Sequence, residues 1–493
     1  MISRTVLRKK LIKTTASSLL SVRRALPAAR PVSLQLSSSS SPSQIFPTTH
    51  RSFHSSPLVK YSTESDSADT SIFKPQVHSP PPPPSHRGYS KLTNRSFIAL
   101  GGPDSSKFLN GIVTSKIVSP EDAEFDDSHA IYTSFLNSKG RVLADSFLYP
   151  VHCNKYLQDL TTPLLPQIKS HGEVVNDVQV EYLIDCDTEV AASLFKSLKL
   201  YKLRASVAIA QVPSDLLSLW SVWDDTSVSE TFPLDNAKNP DLFNLEASDF
   251  GAYPDLRTPG FGMRLILPSD HTPLDVLSQG LIKASPALEA SPLESYNIRR
   301  ILYGIPEGVH ELPPLRALPL ESCIDFMGGI NFNKGCYVGQ ELTIRSHHHG
   351  VVRKRIIPVV FYPNSSNSEE VEIDLSYDPS SPIATELDTS TCLVGSSIVD
   401  LTPRASKPSG NSPFAPSPFA SSEPAEPKAS VSSRPIGSII AAVGNVGLAL
   451  VRLEQFAAPD AKPAISVPNS QNNLQHYICV RGFQPFWWPQ PEE

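Results

Sequence analysis

Lys334-Gly335-Cys336-Tyr337-Val338-Gly339-Gln340-Glu341 is the stretch on which the reading of this chain turns. It sits where the texture of the sequence changes. From Tyr89 to about residue 345, segments of strand and helix type alternate without the Gly-rich fingerprint of a nucleotide fold, an order that fits a mixed α+β domain. Beyond Gly350 only short β-type runs follow, and several short strands without helices read as a small barrel. Within the stretch, Gly335 and Gly339 permit a tight turn that brings the Cys336 thiol to a surface. Lys334 lies two positions upstream, and a nearby ammonium favours the thiolate, the form that ligates iron or exchanges disulfides. The competing reading is a small apolar core cysteine, since free Cys is often buried.

Working outward, Ser96–Leu100 reads as a strand ending at Gly101-Gly102-Pro103, followed by a helix capped by Asp104 with Phe108 and Leu109 inward. Leu194–Leu200 reads as helix and Ala205–Val212 as strand. In the C-terminal part the β-type runs are Arg355–Phe361, Thr391–Val399, Gly437–Val451 and Tyr477–Val480. The predicted organisation is an α+β module over 88–349 and a barrel over 350–484, with disordered Pro/Ser-rich insertions at 363–384 and 402–435 and a tail at 485–493. The tail carries Phe486-Trp487-Trp488-Pro489, which either caps the barrel or engages a partner. His347-His348-His349 invites a metal reading. Placed on a strand, only His347 and His349 could converge on one ion, and no Cys/His pair nearby has zinc spacing. Solvated or partner-facing histidines are the preferred account.

Charge divides the chain. The first 63 residues hold ten Lys/Arg and no Asp or Glu, while the remainder holds 33 Lys/Arg against 49 acids, a balance of −16. An acidic body argues against nucleic-acid binding, which normally shows a basic face. The N-terminus is Arg- and Ser-rich, acid-free and without a continuous apolar h-region, which is the composition of a mitochondrial transit peptide over 1–61. Arg51-Ser52-Phe53-His54-Ser55 resembles a matrix-peptidase site. Residues 62–87, with the unbroken run Pro80 to Pro84, read as an extended, unpacked linker. No run approaches the ~20 apolar residues of a membrane span. Six cysteines without a CxxC pair suit a reducing compartment, where any that matter act as thiols or ligands.

The string Lys-Gly-Cys-Tyr-x-Gly-Gln-Glu resembles the signature of the folate-binding iron–sulfur cluster assembly factors, relatives of the aminomethyltransferase (T-protein) of glycine cleavage. Flanking pieces match in order: Gly102-Pro103-Asp104, Asn137 with Gly140-Arg141-Val142-Leu143 and Asp145, Asp255-x-Arg257 with Gly262-x-Arg264, Arg300 with Gly304-Ile305-Pro306, and Gly437 with Gly444 to Arg452. The resemblance covers about 88–484. The histidines before Gly350 and Val351-Val352-Arg353-Lys354-Arg355 after it look most like the mitochondrial branch.

The resemblance implies a ring-like, folate-binding T-protein module followed by a C-terminal β-barrel, in a mitochondrial matrix protein. Such a protein matures [4Fe–4S] clients of the aconitase and radical-SAM type together with A-type scaffold proteins. It implies tetrahydrofolate as cofactor and Cys336 in cluster handling or redox chemistry. One cysteine cannot hold a cluster alone, so a shared, transient cluster would draw its other ligands from a partner or a small thiol. By family position Glu321, Arg300 and Arg264 are cavity residues, and Lys334, Tyr337, Gln340 and Glu341 surround the cofactor. Carboxylates suit a pterin edge and arginines suit folate carboxylates. An ordinary ion pair is the competing account for each, and Arg141 and Asp145 could pair across a turn.

The sequence departs from the aminomethyltransferases at Ala144-Asp145, where they carry two adjacent acids, which weakens the rival reading of a one-carbon transferase acting through Asp145. It departs from the assembly factors at Cys323, taken as a local substitution. A third reading is an interaction module with an empty cavity.

Overall fold

Strands β1 (Arg87–Lys91) and β2 (Arg95–Gly101) lead into helix α1 (Ser105–Ile112) and the hairpin β3 (Ile131–Leu136) and β4 (Val142–Pro150). There follow β5 (Val180–Asp187), helix α2 (Thr188–Lys202), β6 (Ala208–Gln211), β7 (Leu217–Asp224), β8 (Gly251–Pro254), β9 (Met263–Pro268) and β10 (Glu289–Ala290). Helix α3 (Leu293–Tyr303) and the motif helix α4 (Gln340–His349) complete the first part. The second part is built on β11 (Lys354–Pro363), β12 (Ser397–Asp400), β13 (Gly437–Val443), β14 (Val446–Arg452), β15 (Pro463–Pro468) and β16 (Gln475–Gly482). The computed structural model describes residues 79–118, 129–164, 179–225, 251–277, 288–364, 373–402, 434–468 and 475–489. Residues 1–61, expected as a transit peptide, the expected linker up to residue 78 and most of the 402–435 insertion lie outside the described residues.

Two five-stranded sheets, ordered β3-β4-β5-β2-β6 and β10-β1-β7-β9-β8, precede a closed barrel ordered β11-β14-β13-β12-β15-β16. This is the expected α+β module followed by a small barrel. β1 and β2 are adjacent in sequence yet enter different sheets, so three residues between them tie the sheets together. Ile98, Ala99 and Leu100 of β2 are fully buried, with Ala99 facing the main core and its two neighbours facing α1 and α2. Helix α2 buries Val190, Ala191, Leu194 and Leu198, a stripe at helical spacing. The Asp187 carboxylate caps it by accepting from Glu189 N–H. Helix α1 does bury Phe108 and Leu109, but the Asp104 side chain accepts from the Ser206 N–H across a gap in the chain rather than from its own helix.

The Gly437–Val451 run forms strands as expected, two of them, folded back at Gly444, where φ is +55°. Other expectations are corrected. Thr391–Val399 yields strand only at β12, because Thr389–Cys392 turns into a short helix, and β15 was not anticipated. The described part of the 363–384 insertion, residues 373–384, packs onto the barrel through Tyr377, Ile383 and Ala384. Ile383 and Ala384 are fully buried on a short helix (Pro382–Glu386) capped by Ser381, and the Tyr377 ring lies where a Gly444 side chain would be. Its few apolar residues are hidden among prolines and polar residues in the sequence. The proline run is also not free at its end: Pro81 accepts a 2.6 Å hydrogen bond from Tyr377 Oη, and Ser85 accepts one from Trp223 Nε1. Finally, 485–489 is no loose tail. Trp487 Nε1 donates to the Tyr303 carbonyl at 2.7 Å, and Trp488 packs edge-on against Phe326, so the aromatic cluster joins barrel and module.

Candidate functional site

The motif loop is pinned on both sides of its cysteine. Asn331 N–H donates to Thr114 O, Lys334 Nζ donates to Val113 O and Ser115 O at 2.8 and 2.6 Å, and Val338 N–H donates to Gly111 O. All these acceptors belong to the end of α1 and the residues just after it. Cys336 stands between the anchors and is exposed, which disposes of the buried-core alternative. Gly339 is the glycine the loop requires. Its φ is +78°, and a Cβ there would lie 2.2 Å from the Asn137 carbonyl. Gly140 meets it from the other side, where a Cβ would lie 2.9 Å from Gly339 O. At Gly335, in contrast, a Cβ would meet nothing within 4 Å.

Lys334 does not serve the thiol as expected. Its amine is drawn into the body, with the Tyr337 ring 5.0 Å away, and burial lowers its pKa to about 7. Tyr337 is buried, its phenol pushed up to about 12 by burial and its hydroxyl without a partner. Gln340 turns back so that its side-chain oxygen accepts from Tyr337 N–H, closing the loop onto α4, and Glu341 is exposed in the first turn of that helix. The three histidines end α4 rather than sitting on a strand. Consecutive helical positions diverge by about 100°, and His347 instead stacks flat on Phe332 at 3.6 Å. Among the described residues no group of three His, Cys, Asp or Glu is placed to hold a metal.

The arginines expected around a ligand are each bound to buried carboxylates. Arg264 pairs with Asp185 (2.7 Å), Glu307 (2.7 Å) and Asp255 (3.1 Å), and lies over the Phe147 ring at 3.9 Å. Arg257 pairs with Asp255 and Glu307, each at 2.7 Å, and Arg95 with Asp145 and Asp185. These seven groups form one buried hub. Arg300 makes a separate bidentate pair with Glu311, both bonds 2.8 Å, and donates to Ile305 O. Asp145 does not pair with Arg141, whose guanidinium donates to the Arg316 carbonyl. One Asp145 oxygen accepts from Arg95 and the other from Gly308 N–H. Glu321 lies at the module–barrel junction, where its carbonyl accepts from Ile356 N–H. Cys323 is buried, its thiol pushed up to about 12 by burial and directed at Ile356 O, in keeping with a local substitution.

Four carboxylates face three guanidiniums in the hub, and the protonation energetics follow that count. Burial raises the Asp145 pKa even though Arg95 opposes it. Burial acts on Glu307 as well, but Arg257, Arg264 and Arg95 more than offset it and hold the carboxyl well below its usual range. One excess carboxylate in low dielectric is best relieved by a proton. Around this hub three buried atoms have no partner: Glu307 Oε1, Tyr132 Oη and Arg95 Nε. Tyr132 is an electrostatic neighbour of Asp145, Arg257, Glu307 and Arg95, so these atoms belong to one polar region. Sequence reading missed Glu307 and Tyr132. The signal for Glu307 was present, one position past the Gly304-Ile305-Pro306 match.

An α+β module of two sheets that presents a pinned, exposed thiol and is followed by a C-terminal barrel defines the class of this protein. Residues 353–490 match the family model described as CAF17, C-terminal beta-barrel domain. Three fungal proteins, each named iron-sulfur cluster assembly factor IBA57 homolog, mitochondrial, are similar along most of the chain. The one from Coccidioides immitis is 37% identical over 386 residues, covering 77% of this chain and 74% of its own. That from Aspergillus oryzae is 35% identical over 83% of each chain, and that from Yarrowia lipolytica 31% identical over 82% of this chain and 86% of its own. The chain belongs to this family, the mitochondrial IBA57-type iron–sulfur cluster assembly factors. Among solved structures, the glycine cleavage system aminomethyltransferase T from Bartonella henselae is similar at a TM-score of 0.47 and 12% identity, over 81% of this chain and 86% of that one.

Proposed function

We propose that this protein acts in the mitochondrial matrix in the maturation of [4Fe–4S] enzymes of the aconitase and radical-SAM type, with Cys336 as the residue that handles the cluster together with a partner of the A-type scaffold class. The observation that carries this reading is the exposure of Cys336 on a loop pinned at 331, 334 and 338. A single exposed thiol cannot enclose a cluster. It can supply one ligand to a cluster shared with a second protein, and its anchored neighbours fix the direction from which that protein approaches. The reading as a one-carbon transferase gains nothing from Asp145, since both its oxygens are held by the fold.

Tetrahydrofolate belongs to the proposal as well. The residues present fit it: the unpartnered Glu307 oxygen accepts from an amino-pyrimidinone edge, and the unpartnered Tyr132 hydroxyl can donate or accept beside it. Arg257 and Arg264 hold the Glu307 carboxylate charged and oriented through its other oxygen. When bound, tetrahydrofolate supplies a reduced pterin able to carry one-carbon units.

The test is made in mitochondria lacking this protein and re-expressing wild type or Cys336→Ala, with aconitase, a [2Fe–2S] ferredoxin and glycine-cleavage flux assayed in parallel. The expected result is loss of aconitase activity alone, restored by wild type and not by Cys336→Ala. Full restoration by Cys336→Ala would remove the thiol from the mechanism, and loss of glycine-cleavage flux with intact aconitase would favour the transferase. Calorimetric titration with tetrahydrofolate tests the cofactor, with Tyr132→Phe expected to weaken binding several-fold without loss of stability.

A further inference from the structure

A cleft of about 290 Å³ lies between the middle of α4 and the first strands of the barrel. Its apolar lining includes Leu318, Leu320, Leu342 and Val352, and cations line it at Arg353, Lys354 and Arg452. Lys354 on β11 and Arg452 on β14 are direct cross-strand partners. Side chains so placed are about 5 Å apart at Cβ, and like charges there are destabilising. No ion pair among the described residues neutralises either of them or Arg353. In a body with 49 acids against 33 basic residues, three uncompensated cations around an apolar cleft are not accounted for by the fold. Thr343, 2% exposed in the same wall, carries a hydroxyl without a partner. One carboxylate, Glu321, also lines the cleft, so its charge is net positive and not uniformly so.

We propose that this cleft binds an acidic segment of a partner protein, seating one apolar side chain on the leucine-lined floor and its flanking carboxylates on Arg353, Lys354 and Arg452. The shape favours a peptide. A concave cleft gives a bilayer no flat face to lie on, and no aromatic side chain in its lining offers a base a stacking platform. The cations lie on two strands rather than converging on one point, which suits carboxylates spaced along a chain better than a single small anion. The same helix that walls the cleft begins at Gln340, four residues after Cys336, so a segment seated there would hold its parent protein beside the motif thiol. The proposal thus gives a docking chemistry to the partner invoked above, and rests on that reading for the partner's purpose, not for the binding itself.

The test is fluorescence anisotropy of a fluorescein-labelled hexapeptide, Glu-Leu-Glu-Glu-Leu-Glu, titrated with the full chain. Saturable binding is expected, weakening as salt rises from 50 to 300 mM because these charges are solvent-exposed. Arg452→Glu should weaken binding at least tenfold and Lys354→Gln in the same direction by less, both without a fall in melting temperature because each relieves a cross-strand repulsion, while Cys336→Ala binds as wild type. The expectation includes no binding of the Lys-Leu-Lys-Lys-Leu-Lys peptide. No binding of the acidic peptide at millimolar protein, or binding that Arg452→Glu leaves unchanged, would overturn the proposal. Displacement by inorganic phosphate at equal concentration would overturn it in favour of a small-anion site. Failure of the aconitase test with peptide binding intact would instead sink the assembly role and leave the docking site standing.

Discussion

The buried hub and the motif loop both draw on the most informative residues of the chain, yet they use charge in opposite ways. In the hub, Arg95, Arg257 and Arg264 are enclosed with Asp145, Asp185, Asp255 and Glu307, and every guanidinium is matched to carboxylates. On the loop, Lys334 is tied to two backbone carbonyls and Cys336 is left in solvent. The difference shows that a motif arginine and a motif cysteine answer to different demands. A guanidinium can satisfy a buried acid and disappear into the scaffold, whereas a lone thiol between backbone anchors has no structural task.

Arg264→Met tests the hub side most severely. Removing one partner from a buried ion-pair network costs about 3–5 kcal/mol, so urea denaturation should show a loss of that size, as Asp185, Asp255 and Glu307 lose a shared partner. Unchanged stability with lost tetrahydrofolate binding would break the comparison and return Arg264 to the ligand cavity.

Gly339→Ala acts on the loop side. The left-handed backbone and the 2.2 Å approach to Asn137 O predict a loss of about 1–3 kcal/mol, read as a lower melting temperature. The altered turn should also change the rate at which a thiol reagent modifies Cys336. Gly335→Ala is the control, expected within about 0.5 kcal/mol of wild type because nothing lies near its Cβ position.

The smallest effect concerns Lys334. Its folded pKa is about 7, against about 10.4 for an unfolded lysine. The unfolded state therefore binds the extra proton between those values, and stability rises with pH across that window. Measured against Lys334→Met, the wild type should gain stability from pH 7 to pH 9, by less than about 1 kcal/mol per pH unit after solvent screening. A difference independent of pH would mean that the amine keeps its proton throughout and that its two carbonyl acceptors outweigh burial.

How far the sequence could be read varies by element. Ser96–Leu100 and Leu194–Leu200 carried their structure in local pattern, and the barrel strands Arg355–Phe361 and Tyr477–Val480 did likewise. The packed 377–386 segment did not, because its burial depends on the Gly444 turn across the barrel, and prolines dominate its local signal. The three histidines were misplaced onto a strand because their helix, with only Thr343 fully buried, has almost no apolar stripe to announce it.

The order of sheets and barrel, the family and the one conspicuous thiol follow from residue types and their spacing, which are properties of the chain itself. Which charged groups are scaffold and which face solvent does not, because it depends on partners far apart in sequence. Arg264 meets Asp185 across 79 positions, and Lys334 meets Val113 across 221. No local pattern encodes such pairings. Only the closed tertiary structure brings Lys354 opposite Arg452, and there two cations separately unremarkable in sequence become one charged rim.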